Sequence, residues 1–227
     1  MSAVSIRQAI SAMASEATSQ TQNRPRGRPR SFDPEAALDA AVLVFWEKGY
    51  DGTSLTDLTS AMGINRPSLY ATYGNKRNLF VQAIDRYAAT HGRRAFSALH
   101  MESDNRIAVQ RFFEASIDCA LADDTPRGCL INTVATDAAG EDSELRDKLA
   151  RMFAQTDAAI ARRMAANQTG YESSSREPEQ LAQMAHSVTH SIMTRARAGA
   201  SREDLTEIAN SFIAVLFPSP TNPTVRP

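Results

Sequence analysis

The sequence predicts an all-α protein in two parts, an N-terminal three-helix helix-turn-helix domain and a C-terminal helical domain. Three observations carry this. Thr53 to Lys76 reads as a helix, a tight turn at Met62-Gly63-Ile64 and a second short helix. From Asp104 to Leu216 apolar residues recur at i, i+3, i+4 and i+7, the spacing of one helix face. The breakers Asp123-Asp124-Thr125-Pro126, Gly170, Pro178 and Gly199 fall between those stripes.

Composition narrows the function classes. Of 227 residues, 42% are hydrophobic and 22% charged, as in ordinary water-soluble proteins. No apolar run approaches the roughly 18–20 residues that span a membrane. The N-terminus has no sustained apolar core, so no signal peptide is expected and the chain is read as cytoplasmic with no membrane partner. Net charge is −1, but unevenly placed. Residues 1–90 hold 10 Lys/Arg and 8 Asp/Glu, a net +2; residues 91–227 hold 15 and 18, a net −3. The basic excess sits beside the helix-turn-helix.

The expected organisation is a basic-ended tail over 1–30, the helix-turn-helix domain over 31–90, the second helical domain over 91–217 and a disordered, Pro-rich tail over 218–227. The first tail ends in Pro25-Arg26-Gly27-Arg28-Pro29-Arg30. This run resembles the core of an AT-hook, in which Arg26 and Arg28 would enter a narrow minor groove of enhanced negative potential. A solvated basic linker is the alternative.

The next helix opens at Asp33-Pro34, an N-cap followed by Pro at N1, and carries Leu38, Ala41, Val42 and Phe45 on one stripe. Trp46 is expected to pack. Thr53 or Ser54 caps the second helix, with Asp57 in capping-box position and Leu55, Leu58 and Met62 facing inward. Gly63 can take the positive φ that ends it. Asn65 caps the third helix, with Pro67 in its first turn, and Leu69 is the expected anchor. Arg66, Ser68, Ala71 and Thr72 are left facing out. Asn75 caps a fourth helix whose buried face is Leu79, Phe80, Ala83, Ile84 and Tyr87. Thr90-His91-Gly92-Arg93 can extend that helix or end it.

Residues 34–87 resemble the DNA-binding domain of the TetR family of bacterial repressors. The resemblance rests on Phe45, Gly49-Tyr50, Thr53-Ser54, Leu58, Gly63-Ile64-Asn65, Leu69-Tyr70, Tyr73, Asn75-Lys76 and Leu79-Phe80 in fixed register. Pro67 and Thr59 depart from the commonest pattern, so base preference does not transfer from a relative. The resemblance implies that Thr53 and Lys76 contact phosphate and that Tyr70 and Tyr73 reach phosphates or thymine methyls, contacts that position the domain without reading sequence. It leaves Arg66, Ser68 and Thr72 for base edges, Arg66 being suited to a bidentate contact with guanine. It also implies a double-stranded operator, a homodimer through the helices opening at Pro178 and Ser201, and a small-molecule inducer of unknown identity. The inducer's pocket would draw on Phe112, Phe113, Ile117, Met152, Phe153 and Ile160, a stripe that plain core packing also explains.

No catalytic constellation and no cofactor motif is present, so an enzyme is not expected. His186 and His190 stand at i, i+4, but no Glu stands beside His186, so the metalloprotease pattern is absent; both are expected at an interface or in solvent, with no metal. Cys119 and Cys129 are too few for a disulfide scaffold. They are read as small buried hydrophobes, or alternatively as a redox or electrophile sensor. Arg127 and a nearby helix start would then lower the Cys129 pKa.

Overall fold

The computed structural model describes residues 32–166 and 177–217. Arg26 and Arg28, both predicted tails and the stop near Gly170 lie outside the described residues. The α-helices are α1 (Pro34–Lys48), α2 (Leu55–Ala61), α3 (Arg66–Tyr73), α4 (Lys76–Tyr87), α5 (Arg93–Met101), α6 (Asn105–Ala120), α7 (Thr136–Ala138), α8 (Ser143–Ala166), α9 (Pro178–Arg197) and α10 (Arg202–Leu216). Two π-helical segments, Ala88–Gly92 and Leu130–Ala135, join them. No strand occurs among the described residues.

Local chemistry sets the helix starts. The Asp33 carboxylate accepts from the backbone N–H of Glu35 at 2.9 Å, with Pro34 next in line. Ser54, not Thr53, caps α2, and Ser54 and Asp57 complete a reciprocal capping box. Gly63 has φ 63°, the left-handed turn that reverses the chain into α3. Asn65 accepts from Ser68 N–H at 2.9 Å and Asn75 from Asn78 N–H at 2.8 Å. Ser201 and Asp204 form the capping box of α10.

The first four helices share a core of Phe45, Trp46, Leu58, Leu69, Leu79, Phe80 and Ile84, all essentially inaccessible. Phe45 and Phe80 meet edge-on at 4.9 Å. Arg86 of α4 clamps Asp39 of α1 with two bonds of 2.6 and 2.8 Å. Tyr50, after α1, covers Phe80 at 4.8 Å.

Beyond Tyr87 the chain does not break. Gly92 keeps a helical φ of −65°, and a π-turn over Ala88–Gly92 leads directly into α5. The wider turn stacks the His91 ring on Tyr87 at 5.1 Å, while Trp46 meets both edge-on. Helix α5 is an addition to the expected elements, and Ala95, Phe96 and Leu99 give it an inward stripe. Helix α6 then packs against α5, α9 and α10. Gly128 closes the loop after α6 against α9. Its φ is 88°, and a Cβ there would stand 2.8 Å from the Met193 carbonyl oxygen, so only glycine fits.

Polar contacts tie the two ends. Arg77, at the start of α4, holds Asp142 at 2.5 and 2.9 Å and Glu144 at 2.7 Å. Lys148 reaches Asp85 at 2.5 Å, and Arg197 donates to the Glu47 carbonyl at 2.9 Å. Deeper in, Arg163 is 7% exposed. It gathers the carbonyls of Leu99, Glu102 and Ser103 together with the Asn105 amide oxygen, closing the C-terminal end of α5.

Two outcomes follow. Arg163→Ala leaves those carbonyls unpaired and lowers unfolding free energy by about 2–3 kcal/mol, measured by urea denaturation. Arg77 holds the Asp142 carboxyl down, from its usual 3.8 to about 2. A depressed carboxyl contributes stability that is complete above its unfolded value and lost as pH falls through the folded one. Stability should therefore decline between about pH 4 and pH 2 with a component that Asp142→Asn abolishes, read from midpoints across that range.

Candidate DNA interface and ligand cavity

Helix α3 presents one side to solvent. Arg66 and Ala71 are exposed, Tyr70 is 49% exposed, and Ser68 and Thr72 are half-buried. Arg66 is held from α2: its Nη2 donates to the Thr56 hydroxyl at 3.1 Å. Lys76, at the first position of α4, lies over the Tyr50 ring at 4.5 Å from its centre. Its ammonium thus sits on an aromatic platform at a helix N-terminus, where the helix dipole favours an anion. Exposed Ser54, Thr56, Arg66 and Tyr70, with half-buried Lys76, belong to one helix-turn-helix unit.

Two expected phosphate contacts are corrected. Thr53 is 2% exposed and its hydroxyl donates to the Gly49 carbonyl at 2.6 Å, so it has no proton to offer a phosphate. Tyr73 is 5% exposed and its hydroxyl donates to the Pro34 carbonyl at 2.7 Å, tying α3 to the start of α1. Both residues build the unit and do not face outward. Thr56 and Tyr50 were missed. The signal for Thr56 is its place in the exposed first turn of α2; Tyr50 needs the tertiary contact with Lys76.

Behind the α4–α5 junction lies a cavity of about 110 Å³. Phe112, Met152 and Phe153 line it, as do Tyr87, His91 and Phe96. Phe113, Ile117 and Ile160 do not, which corrects their expected place. The cavity side of α6 is Phe112, Ser116 and Cys119. Phe113 and Ile117 lie one residue round, where Phe113 meets Phe212 of α10 at 5.9 Å. Ile160 lies a turn beyond the cavity-facing stretch of α8 and is buried in the core.

The histidines of α9 are also corrected. His186 turns inward, lines the cavity, and bonds Asp157 of α8 through Nδ1 at 2.5 Å. His190 packs against Phe153 and His186, and burial, then the neighbouring His186, lowers its pKa. Among the described residues no group of His, Cys, Asp or Glu is arranged to hold a metal.

Cys119 and Cys129 are free thiols on the same cavity wall. The activation that the alternative sensor reading requires is opposed by the site: burial pushes the Cys129 pKa up, and that of Cys119 too. Arg127 gives its guanidinium to the Ala200 carbonyl at 3.0 Å. The Cys129 thiol and the Tyr87 hydroxyl both line the cavity, and burial raises the pKa of each.

Tyr73→Phe and Thr53→Val each remove one internal hydrogen bond. Each should lower the stability of the chain by about 1 kcal/mol, seen as a reduced urea midpoint.

The geometry can be set beside known proteins. The family model described as "Bacterial regulatory proteins, tetR family" matches residues 37–83. A second, the C-terminal domain of LmrA/YxaF-like transcriptional regulators, matches residues 106–211. The HTH-type transcriptional repressor ComR of Escherichia coli K12 is 33% identical over 206 residues, covering 88% of this chain and 96% of ComR. The repressor BdcR of the same strain is 31% identical over 188 residues, 81% of this chain and 89% of BdcR. Among solved structures, a cysteine-substituted form of the TetR family regulator CifR, complexed with 26 bp operator DNA, is 32% identical. It superposes with a TM-score of 0.75 over 82% of this chain and 98% of CifR. Two matched domains in the right order, and a relative of one third identity along nearly its whole length, place this chain in the TetR family of bacterial transcriptional regulators.

Proposed function

We propose that the protein is a repressor that binds a palindromic operator as a homodimer and releases it when a small molecule enters the cavity. The observation that carries this is the outward face of α3. Arg66 and Tyr70 are exposed while the same helix is anchored underneath by fully buried Leu69. A second helix of this kind enters the DNA major groove. In this reading Lys76 and Tyr70 grip phosphate, and Arg66, Ser68 and Thr72 reach base edges. Arg26 and Arg28 add minor-groove contacts. CifR, bound to operator DNA, supports the partner by similarity.

The dimer would form through α9 and α10. Their outer surface carries Val188 and Phe212, both part-exposed, and Val215 at 60% exposure, the apolar strip such an interface buries. A two-fold axis there would present two α3 helices to half-sites about one helical turn apart or somewhat more. The inducer would act through its preference for a DNA-incompetent spacing of the two readers. This takes place in the cytoplasm, where the operator lies.

A second reading has one observation in its favour: both thiols line the same cavity. Covalent modification of Cys119 or Cys129 would then be the trigger. Their raised pKa values make the neutral thiol the resting form, which disfavours it.

Selection from a random DNA library, followed by footprinting, should yield a palindromic site bound with strong salt dependence. Lys76→Ala and Tyr70→Ala should weaken binding to all sequences. Lys76→Ala should also reduce the salt slope by about one. Absence of sequence-preferring binding rejects the repressor reading. Cys119→Ser and Cys129→Ser proteins that release DNA as before reject the thiol trigger.

A further inference from the structure

Resting on the ligand-release reading above, we propose that the cavity takes a neutral, single-ring organic compound carrying one hydroxyl group. Size is the first argument. At about 110 Å³ the cavity is somewhat smaller than the roughly 150 Å³ apolar cavity that holds benzene, so it suits a single ring only as its wall gives. Met152 and Met193 on the wall are unbranched and can repack around that ring, and Phe112 and Phe153 offer it aromatic faces.

Charge is the second argument. No Lys, Arg, Asp or Glu among the described residues lines the cavity. A carboxylate, phosphate or ammonium ligand would lose its hydration there without a counter-charge on the wall.

Hydrogen bonding is the third. Some polar groups on the wall are already engaged. The Ser116 hydroxyl donates to the Phe112 carbonyl at 2.7 Å and the Thr189 hydroxyl to the Ala185 carbonyl at 3.0 Å. The groups without such a bond include the Asn132 carboxamide, the Thr156 hydroxyl and the second nitrogen of His186. The Asp157 carboxylate accepts only, so the proton of a neutral His186 sits on Nδ1 and Nε2 is an acceptor. A ligand hydroxyl matches this set, since it can donate to Nε2 and accept from Asn132 or Thr156. A hydrocarbon leaves all three unsatisfied, and an ether or ketone cannot donate to Nε2.

The full-length protein is titrated by calorimetry with phenol, toluene and benzoate. Phenol should bind one site per chain, roughly tenfold more tightly than toluene, with benzoate weaker still. Trp46 is the single tryptophan and meets Tyr87 and His91, both on the cavity wall, at 5.0 and 5.4 Å. Phenol, and not benzoate, should therefore change its emission saturably. In His186→Phe the phenol preference over toluene should collapse. Thr156→Val keeps the His186–Asp157 pair and should weaken phenol severalfold while leaving toluene unchanged. Absence of phenol binding, benzoate binding as tightly as phenol, or an unaltered phenol-to-toluene ratio in both variants overturns the proposal. Operator binding is measured separately and decides the repressor reading; the calorimetry decides the ligand class whichever way that falls.

Discussion

Helix α3 is only eight residues long, and an isolated helix of that length does not persist in water. Everything at the DNA-facing end exists to hold it. Leu69 is its buried foot, and Tyr73 fastens its last turn to the Pro34 carbonyl across the whole first domain. Asn65 and Asn75 cap α3 and α4, on either side of the Gly74 turn. The cost of ordering so short a helix is met by burial, and its outward face is therefore free to carry Arg66 and Tyr70.

The same constraint explains why the helix-turn-helix and the cavity-bearing helices are joined so closely. Helix α4 supports α3 at one end and forms part of the cavity wall at the other, through Tyr87. Trp46 of α1 touches Tyr87 and His91, so the core of the DNA-facing helices and the cavity share a wall. Helix α8 repeats the pattern: its preceding residue Asp142 grips Arg77 beside Lys76, while its Met152, Phe153 and Thr156 face the cavity. Occupation of the cavity and placement of Lys76 are thereby properties of the same two helices. The buried Arg163 fixes the far end of α5.

Much of the first domain was legible because its signals are local. Asp33-Pro34, Ser54 with Asp57, Gly63, Asn65 and Asn75 act within three or four residues of themselves. Helix α5 was not legible, because Gly92 reads as a breaker and only the stacking of His91 on Tyr87 shows why the chain continues through a π-turn. The candidate site divides the same way. Exposure of Tyr70 follows from the period of α3, whereas burial of Thr53 and Tyr73 depends on carbonyls from other parts of the chain, at Gly49 and Pro34.

By itself the sequence determined the all-α class, the helix starts and the helix-turn-helix, since caps, breakers and apolar period are written in neighbouring residues. Only the tertiary structure decided which side of α6 meets the cavity, because Phe112 and Phe113 are equally apolar and differ only in what lies opposite. It also turned His186 inward to Asp157 and brought Cys119 and Cys129 to one wall. Those outcomes are set by how helices distant in sequence rotate against each other, and no local pattern encodes that rotation.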